Sequence, residues 1–405
     1  MAKILVLTQR IPYPPNKGEK IRVFQFIKHW CLDNELHLGC FVDDDNDWQY
    51  VKTLEKICQT SCFTGLNKKT SYLRMLRGLI RGESLSTAFF YSGKFQKWVD
   101  ETIEKVKPDI IIIFSSAMAQ YIVGQRGIPG IKIMDFVDVD SDKWAQYAKK
   151  SRFPMSWVYA REARKLLEFD RMVARETDAS VFVTRNEVDL FNRLAPENQG
   201  KSHAIPNGVD LDYFDQRHQF ENPSEEDCSY LVFTGIMDYK PNMDAVTWMV
   251  NHVLPLVWQK NPDVFFYIVG SSPSDKVKAL GKHDRVVVTG RVPDVRPFVS
   301  HAIAAVAPLR IARGIQNKVL EAMAMGKITI VTPFALEGIE AEPGEELLLA
   351  RDEQSFASHI FHILEGTLSV DIAKQARDCV EEKYSWQSRF EQYDKLFTLI
   401  NKVKQ

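Results

Sequence analysis

Ala302-Ile303-Ala304-Ala305-Val306-Ala307-Pro308-Leu309-Arg310-Ile311-Ala312-Arg313-Gly314-Ile315-Gln316-Asn317-Lys318-Val319-Leu320-Glu321-Ala322-Met323-Ala324-Met325-Gly326 is an apolar run, a basic loop and a helix-forming segment in succession. Its opening run is short and apolar, the pattern of a strand buried on both faces of a parallel sheet. Asn317 to Met325 is helix-forming, with Asn317 a good N-cap and Gly326 a natural stop before the next strand. A basic loop bearing one glycine joins the two.

The same unit repeats outward in both directions. In the first half, apolar runs suited to strands fall at Lys3–Thr8, Glu35–Val42, Asp109–Phe114, Ile131–Phe136, Ala179–Thr184 and Ser202–Ile205. In the second half they fall at Tyr230–Thr234, Val264–Val269, Val286–Thr289, Ala302–Ala307, Ile328–Val331 and Leu347–Leu349. Two successive βα series predict an α/β chain of two doubly wound, Rossmann-like domains. The boundary is expected where Pro206-Asn207-Gly208 supplies a turn and Glu221–Asp227 is polar and acidic. The expected division is a first domain over 1–207, a linker over 208–228, a second domain over 229–385 and a final helix over 386–405 that packs back towards the first domain.

Composition narrows the function. With 52 basic and 53 acidic residues the net charge is -1, which argues against a nucleic-acid partner that needs a surplus of Lys and Arg. Six scattered cysteines show no zinc-ribbon or C-x-x-C spacing, and buried reduced thiols suit a cytoplasmic location. The apolar run at the N-terminus stops at Gln9, too short for a signal peptide, and no run approaches the ~20 residues of a membrane span.

Ligands of doubly wound sheets sit outside the carboxyl ends of the strands, so the loop after Ala307 is the place to seek chemistry. A helix N-terminus offers unpaired N–H groups and partial positive charge, and Gly314 lets backbone approach closely, a combination suited to a diphosphate. Arg310, Arg313 and Lys318 add charge-assisted bonds to the same oxygens. Lys318 and Glu321, three apart, share a helix face, and Glu321 is the candidate acceptor for ribose hydroxyls. The competing interpretation is a solvated Lys–Glu surface pair.

This stretch resembles the signature of the retaining GT-B glycosyltransferases of glycosyltransferase family 4, and within them the sugar transferases associated with the PEP-CTERM/exosortase system, which accompany exopolysaccharide gene clusters. The narrower match rests on Arg310–Gly326 and Asp135–Trp144. The resemblance implies two domains facing a central cleft, a nucleotide-sugar donor held mainly by the second, and transfer to a glycan or lipid-linked glycan with retention, without metal or cofactor. It places the donor ribose on Glu321 and the diphosphate near Lys318. The family's Glu-x7-Glu motif would put its first Glu at position 313, where this chain has Arg313. Ile205–Asp210 is similar to the interdomain turn. Gly235–Asn242 is similar to the first loop of the second domain, with Lys240 as its cation, and Val288-Thr289-Gly290-Arg291-Val292 is similar to the segment that meets the donor base, with Arg291 counted among the donor contacts. Gly18, after a proline-stiffened loop, is expected to approach the donor phosphate. Ser115 and Ser116 stand where family members often carry a His.

Asp135-Phe136-Val137-Asp138-Val139-Asp140-Ser141-Asp142-Lys143-Trp144 admits three interpretations: acceptor binding or a catalytic base, a D-x-D metal site, or acid at a helix start. Asp138, Asp140 and Trp144 are the acceptor-side choices, Asp138 and Arg313 the catalytic candidates, and a metal site is disfavoured. Lys68–Arg81 combines five cations with six apolar residues at helical spacing. It is read equally as a peripheral contact with an anionic membrane or as a helix covering the first sheet with its charges outward. Alternatives to glycosyl transfer are a GT-B nucleotide-sugar 2-epimerase and a non-catalytic sugar-nucleotide-binding protein.

Overall fold

Runs rich in Ile and Val form strands because β-branched side chains pack well on a pleated surface buried on both sides. In a computed structural model of the chain, thirteen strands are found among the described residues, which are all except 16–17, 126, 225–227, 313–314, 369–370 and 405. They are β1 (Lys3–Thr8), β2 (Glu35–Val42), β3 (Thr60–Gly65), β4 (Ile110–Phe114), β5 (Ile131–Val137), β6 (Ala179–Phe182), β7 (Ser202–Ala204), β8 (Tyr230–Thr234), β9 (Phe265–Val269), β10 (Val286–Gly290), β11 (Ala304–Ala307), β12 (Thr329–Val331) and β13 (Leu348–Leu349). Twelve coincide with the expected runs; β3 does not. Its sequence, Thr-Ser-Cys-Phe-Thr-Gly, is too polar and too half-buried to stand out, because it lies at the sheet edge beside β2.

The chain divides into two units, one of residues 1–207 with 389–405, the other of residues 208–388. The first holds a parallel sheet in the order β3-β2-β1-β4-β5-β6-β7 and the second a parallel sheet in the order β10-β9-β8-β11-β12-β13. Each order reverses once, between β1 and β4 and between β8 and β11. At such a point the following loops diverge to opposite faces and leave a crevice beyond the carboxyl ends. Residues 208–224, expected within a linker, instead belong to the second unit. Val209 is buried in its core, and Arg296 lies over the Tyr213 ring with its Cζ 3.7 Å from the centroid. Apolar and aromatic side chains in this polar segment give it something to bury.

One buried polar cluster ties the first unit together. Arg22, on helix Gly18–Trp30, has no accessible surface and donates to Asp135 Oδ2 at the end of β5 from Nε at 2.9 Å and Nη2 at 2.7 Å. Its Nη1 reaches Asn207 Oδ1 at 3.1 Å, and Tyr393 of helix Trp386–Lys404 donates to the same Asp135 oxygen. Burial opposes the Arg22 charge, and Asp135 more than offsets that cost, so its pKa is raised. Around the cluster Phe26 meets Tyr393 at 4.5 Å and Phe390 at 5.6 Å between ring centroids. Asp135 is therefore a structural carboxylate. Replacing Arg22→Met leaves it buried without its cation, and we expect a loss of roughly 3–5 kcal/mol in urea-unfolding free energy; a loss under ~1 kcal/mol would contradict this role.

Candidate functional site

At the crevice of the second sheet, two strands deliver two helix starts. After β8 the chain turns at Gly235 and enters helix Lys240–Trp248; after β11 it enters helix Asn317–Ala324. The N-cap of the second helix is Gln316, one residue before the expected Asn317, and neither Gln316 nor Tyr239 makes a side-chain cap. Both helices thus begin with amides that no cap side chain takes, beside the place where an anion gains most from them. Gly326 ends the second helix with φ of 61°, as expected of a glycine stop.

Lys318 stands at the centre of this arrangement. Its Nζ donates to Asn242 Oδ1 at 2.7 Å and lies 4.0 Å from the centroid of the buried Phe233 ring. A Cβ added at Gly235 would come 3.1 Å from Lys318 Nζ and 2.7 Å from Asn242 Nδ2, so only glycine leaves this floor open. Burial pulls the Lys318 pKa down to about 7 and nearby Glu321 opposes that fall. Burial pushes Glu321 up to about 7, with Lys318 working the other way. Both side chains nevertheless keep some accessible surface. A cation and an acid, each losing hydration and each poised near neutrality, are set to gain from a ligand that brings negative charge to one and hydroxyl donors to the other.

The remaining donor-side candidates divide. Arg310 is held by Asp244, with Nε to Oδ2 at 2.9 Å and Nη2 to Oδ1 at 2.6 Å, rather than standing open towards a phosphate. Lys240 and Arg291 are exposed, at the first turn of helix Lys240–Trp248 and directly after β10. Arg313 and Gly314 lie outside the described residues. Sequence reasoning missed Asn242 and Asp244, which position Lys318 and Arg310; two polar residues in the first half of a helix that follows a crevice strand were the available signal.

The first unit carries the acceptor-side candidates. Lys143 bridges Asp138 at 2.8 Å and Asp140 at 3.0 Å, and helix Asp140–Lys150 is preceded by Val139, which offers no side-chain cap. The two carboxylates therefore face one cation instead of capping the helix. Trp144 is half-buried in an aromatic group with Tyr159 at 5.4 Å and Tyr147 at 5.8 Å. Ser115 has φ of 72° and Val137 φ of 68° at the carboxyl ends of the adjacent strands β4 and β5, conformations that a β-branched residue adopts only when its surroundings impose them. Ser115 Oγ donates to Gln9 Oε1 at 3.2 Å across the β1/β4 reversal. Gly18 opens its helix with no atom within 4 Å of an added Cβ.

Residues 228–366 match the family described as Glycosyl transferases group 1. A glycosyltransferase of Rickettsia africae superposes with a TM-score of 0.66 at 16% identity, covering 99% of each chain. Anabaena HepE in complex with UDP-glucose superposes with a TM-score of 0.64 at 15% identity, covering 98% of this chain and 100% of that one. The fold is GT-B. In sequence, the chain is 22% identical over 404 residues to an uncharacterized 44.6 kDa protein of the Klebsiella pneumoniae cps region, covering 95% of this chain and 97% of that protein.

Because Lys318 loses its proton near pH 7, its attraction for a phosphate is strongest below that pH and declines above it. The affinity ratio between wild type and Lys318→Met for a nucleoside diphosphate should be about 10- to 100-fold at pH 6 and shrink by pH 9. Calorimetric titration across that range checks it, with the free ligand's ionisation common to both proteins. A ratio that stays level or grows with pH would count against Lys318 as the phosphate contact.

Proposed function

We propose that this protein is a glycosyltransferase that carries a sugar from a nucleotide-sugar donor to a glycan or lipid-linked glycan acceptor in polysaccharide biosynthesis, with retention at the anomeric carbon. The observation that carries the proposal is the Lys318–Glu321 pair at the carboxyl-end crevice of the second sheet, flanked by two helix starts without side-chain caps. The ribose hydroxyls lie on Glu321. The diphosphate lies against Lys318 and the amides of both helices, with Lys240 and Arg310 closing on it. Arg310 gives up Asp244 readily, because both partners are partly exposed and such pairs contribute only ~0–1 kcal/mol.

In the reaction the bond from the anomeric carbon to the diphosphate breaks, a bond to an acceptor hydroxyl oxygen forms, and the proton of that hydroxyl passes to the departing diphosphate oxygen. Negative charge builds on the leaving diphosphate, where the fixed helix amides and Lys318 stabilise it without reorganising. Asp138 and Asp140 receive the acceptor hydroxyl and Trp144 stacks on its ring. Neither a metal nor a cofactor is part of the proposed reaction. The capsule-region relative supports a polysaccharide product, and the nucleotide sugar bound by HepE supports the donor class.

Incubation with a panel of nucleotide sugars and glycan primers separates this proposal from its rivals. Release of nucleoside diphosphate that depends on acceptor is the expected result. Interconversion of the donors without acceptor would make the protein an epimerase, and saturable binding without turnover would make it a non-catalytic receptor. Glu321→Ala should weaken nucleoside diphosphate binding by about tenfold or more; unchanged affinity would remove the ribose from Glu321.

A further inference from the structure

We propose that a basic apolar face of the first unit, formed by helix Lys68–Arg81 together with residues 149–157, docks this protein on an anionic membrane surface. The inference goes beyond the donor chemistry and uses none of its residues. A helix that merely covers a sheet turns its apolar stripe inward. Here four of the six apolar residues turn outward: Tyr72, Leu73, Leu76 and Ile80 are exposed, with Ile80 at 86% and Leu73 at 66%, while Ser71 and Gly78 are buried against the unit and Met75 and Leu79 are half-buried beside them. Positions 69, 72, 73, 76 and 80 fall on one face at helical spacing, so Lys69 sits within the apolar row.

Small residues on the inner face let this helix sit close. A Cβ added at Gly78 would lie 2.8 Å from the Ala88 Cβ of the next helix, Leu85–Phe89, and the rings of Tyr72 and Phe89 meet at 5.9 Å. Helix Met155–Glu176 then fixes both elements by charge. Arg161 donates to the carbonyls of Leu79 at 3.1 Å and Glu83 at 3.0 Å, at the negative end of helix Lys68–Arg81. The neighbouring Glu162 accepts from the Leu85 amide at 2.6 Å and the Ser86 amide at 2.9 Å, at the positive end of the next helix. Trp157, one turn before Arg161, is exposed with Met155 and with Phe153 at 82%.

Charge selects the occupant. Lys68, Lys69, Arg77, Arg81, Lys149, Lys150 and Arg152 are all exposed, and neither segment contains an acidic residue, although the chain as a whole has 53 acidic residues against 52 basic. Long cationic side chains extend to lipid phosphates while their stems and the apolar row enter the boundary with the acyl chains. Each cation within a Debye length of anionic lipid adds to the attraction. A second copy of the same face would meet like charge.

Co-sedimentation of the full chain with phosphatidylcholine vesicles, with and without phosphatidylglycerol, tests the proposal. Expected are retention by the anionic vesicles at low salt, release as salt rises, and retention about tenfold lower for Leu73→Ser/Leu76→Ser/Ile80→Ser and for Arg77→Glu/Arg81→Glu. These side chains are exposed, so circular dichroism and nucleotide affinity should be unchanged in both variants, which separates this result from a failure of the donor proposal. No retention of wild type, equal retention by neutral vesicles, or unaltered retention of the apolar variant would overturn it. So would a wild-type dimer that the apolar variant dissociates without any vesicle binding, because the face would then be a contact between copies.

Discussion

A strand buried on both faces can present chemistry only at its ends, and that constraint organises this molecule. In each sheet the interior strands are sealed by helices, so the reacting groups must come from the loops beyond the carboxyl edge. The reversal of strand order between β8 and β11 opens that edge in the second sheet. Lys318 and Glu321 reach it from one helix, Asn242 and Asp244 from the other, and Gly235 lies between them without a side chain to fill the space. Holding a half-desolvated Lys and Glu there costs stability in the unliganded protein, which a doubly charged ligand returns on binding.

The first unit spends its buried charges differently. Arg22, Asp135 and Tyr393 satisfy one another away from solvent, and Arg161 with Glu162 joins the ends of successive helices. These groups fix geometry. The exposed charges of the same unit are segregated: acids collect near the start of helix Asp140–Lys150, where Lys143 bridges two of them, and cations collect around the outward apolar row of helix Lys68–Arg81.

How much of this was legible in the sequence follows from which forces are local. Apolar runs located most strands, because double burial writes itself into contiguous Ile and Val; β3 escaped because its edge sequence, Thr-Ser-Cys-Phe-Thr-Gly, has one large apolar residue. The Lys318 to Glu321 spacing was legible as a shared helix face. Long-range partners were not. That Asp135 belongs to Arg22, 113 positions away, and Arg310 to Asp244, 66 positions away, depends on sheet order rather than on neighbouring residues. The direction of the apolar stripe on helix Lys68–Arg81 was equally hidden, since periodicity gives a face but not what it meets; Ser71 and Gly78 on the opposite face decide it.

A crystal structure of the chain soaked with UDP tests the central claim most directly. The ribose hydroxyls are expected on Glu321, and the phosphates against Lys318 and the first-turn amides of helices Lys240–Trp248 and Asn317–Ala324. A nucleotide bound instead at the carboxyl edge of the first sheet, or an unoccupied Lys318–Glu321 site at saturating ligand, would contradict it.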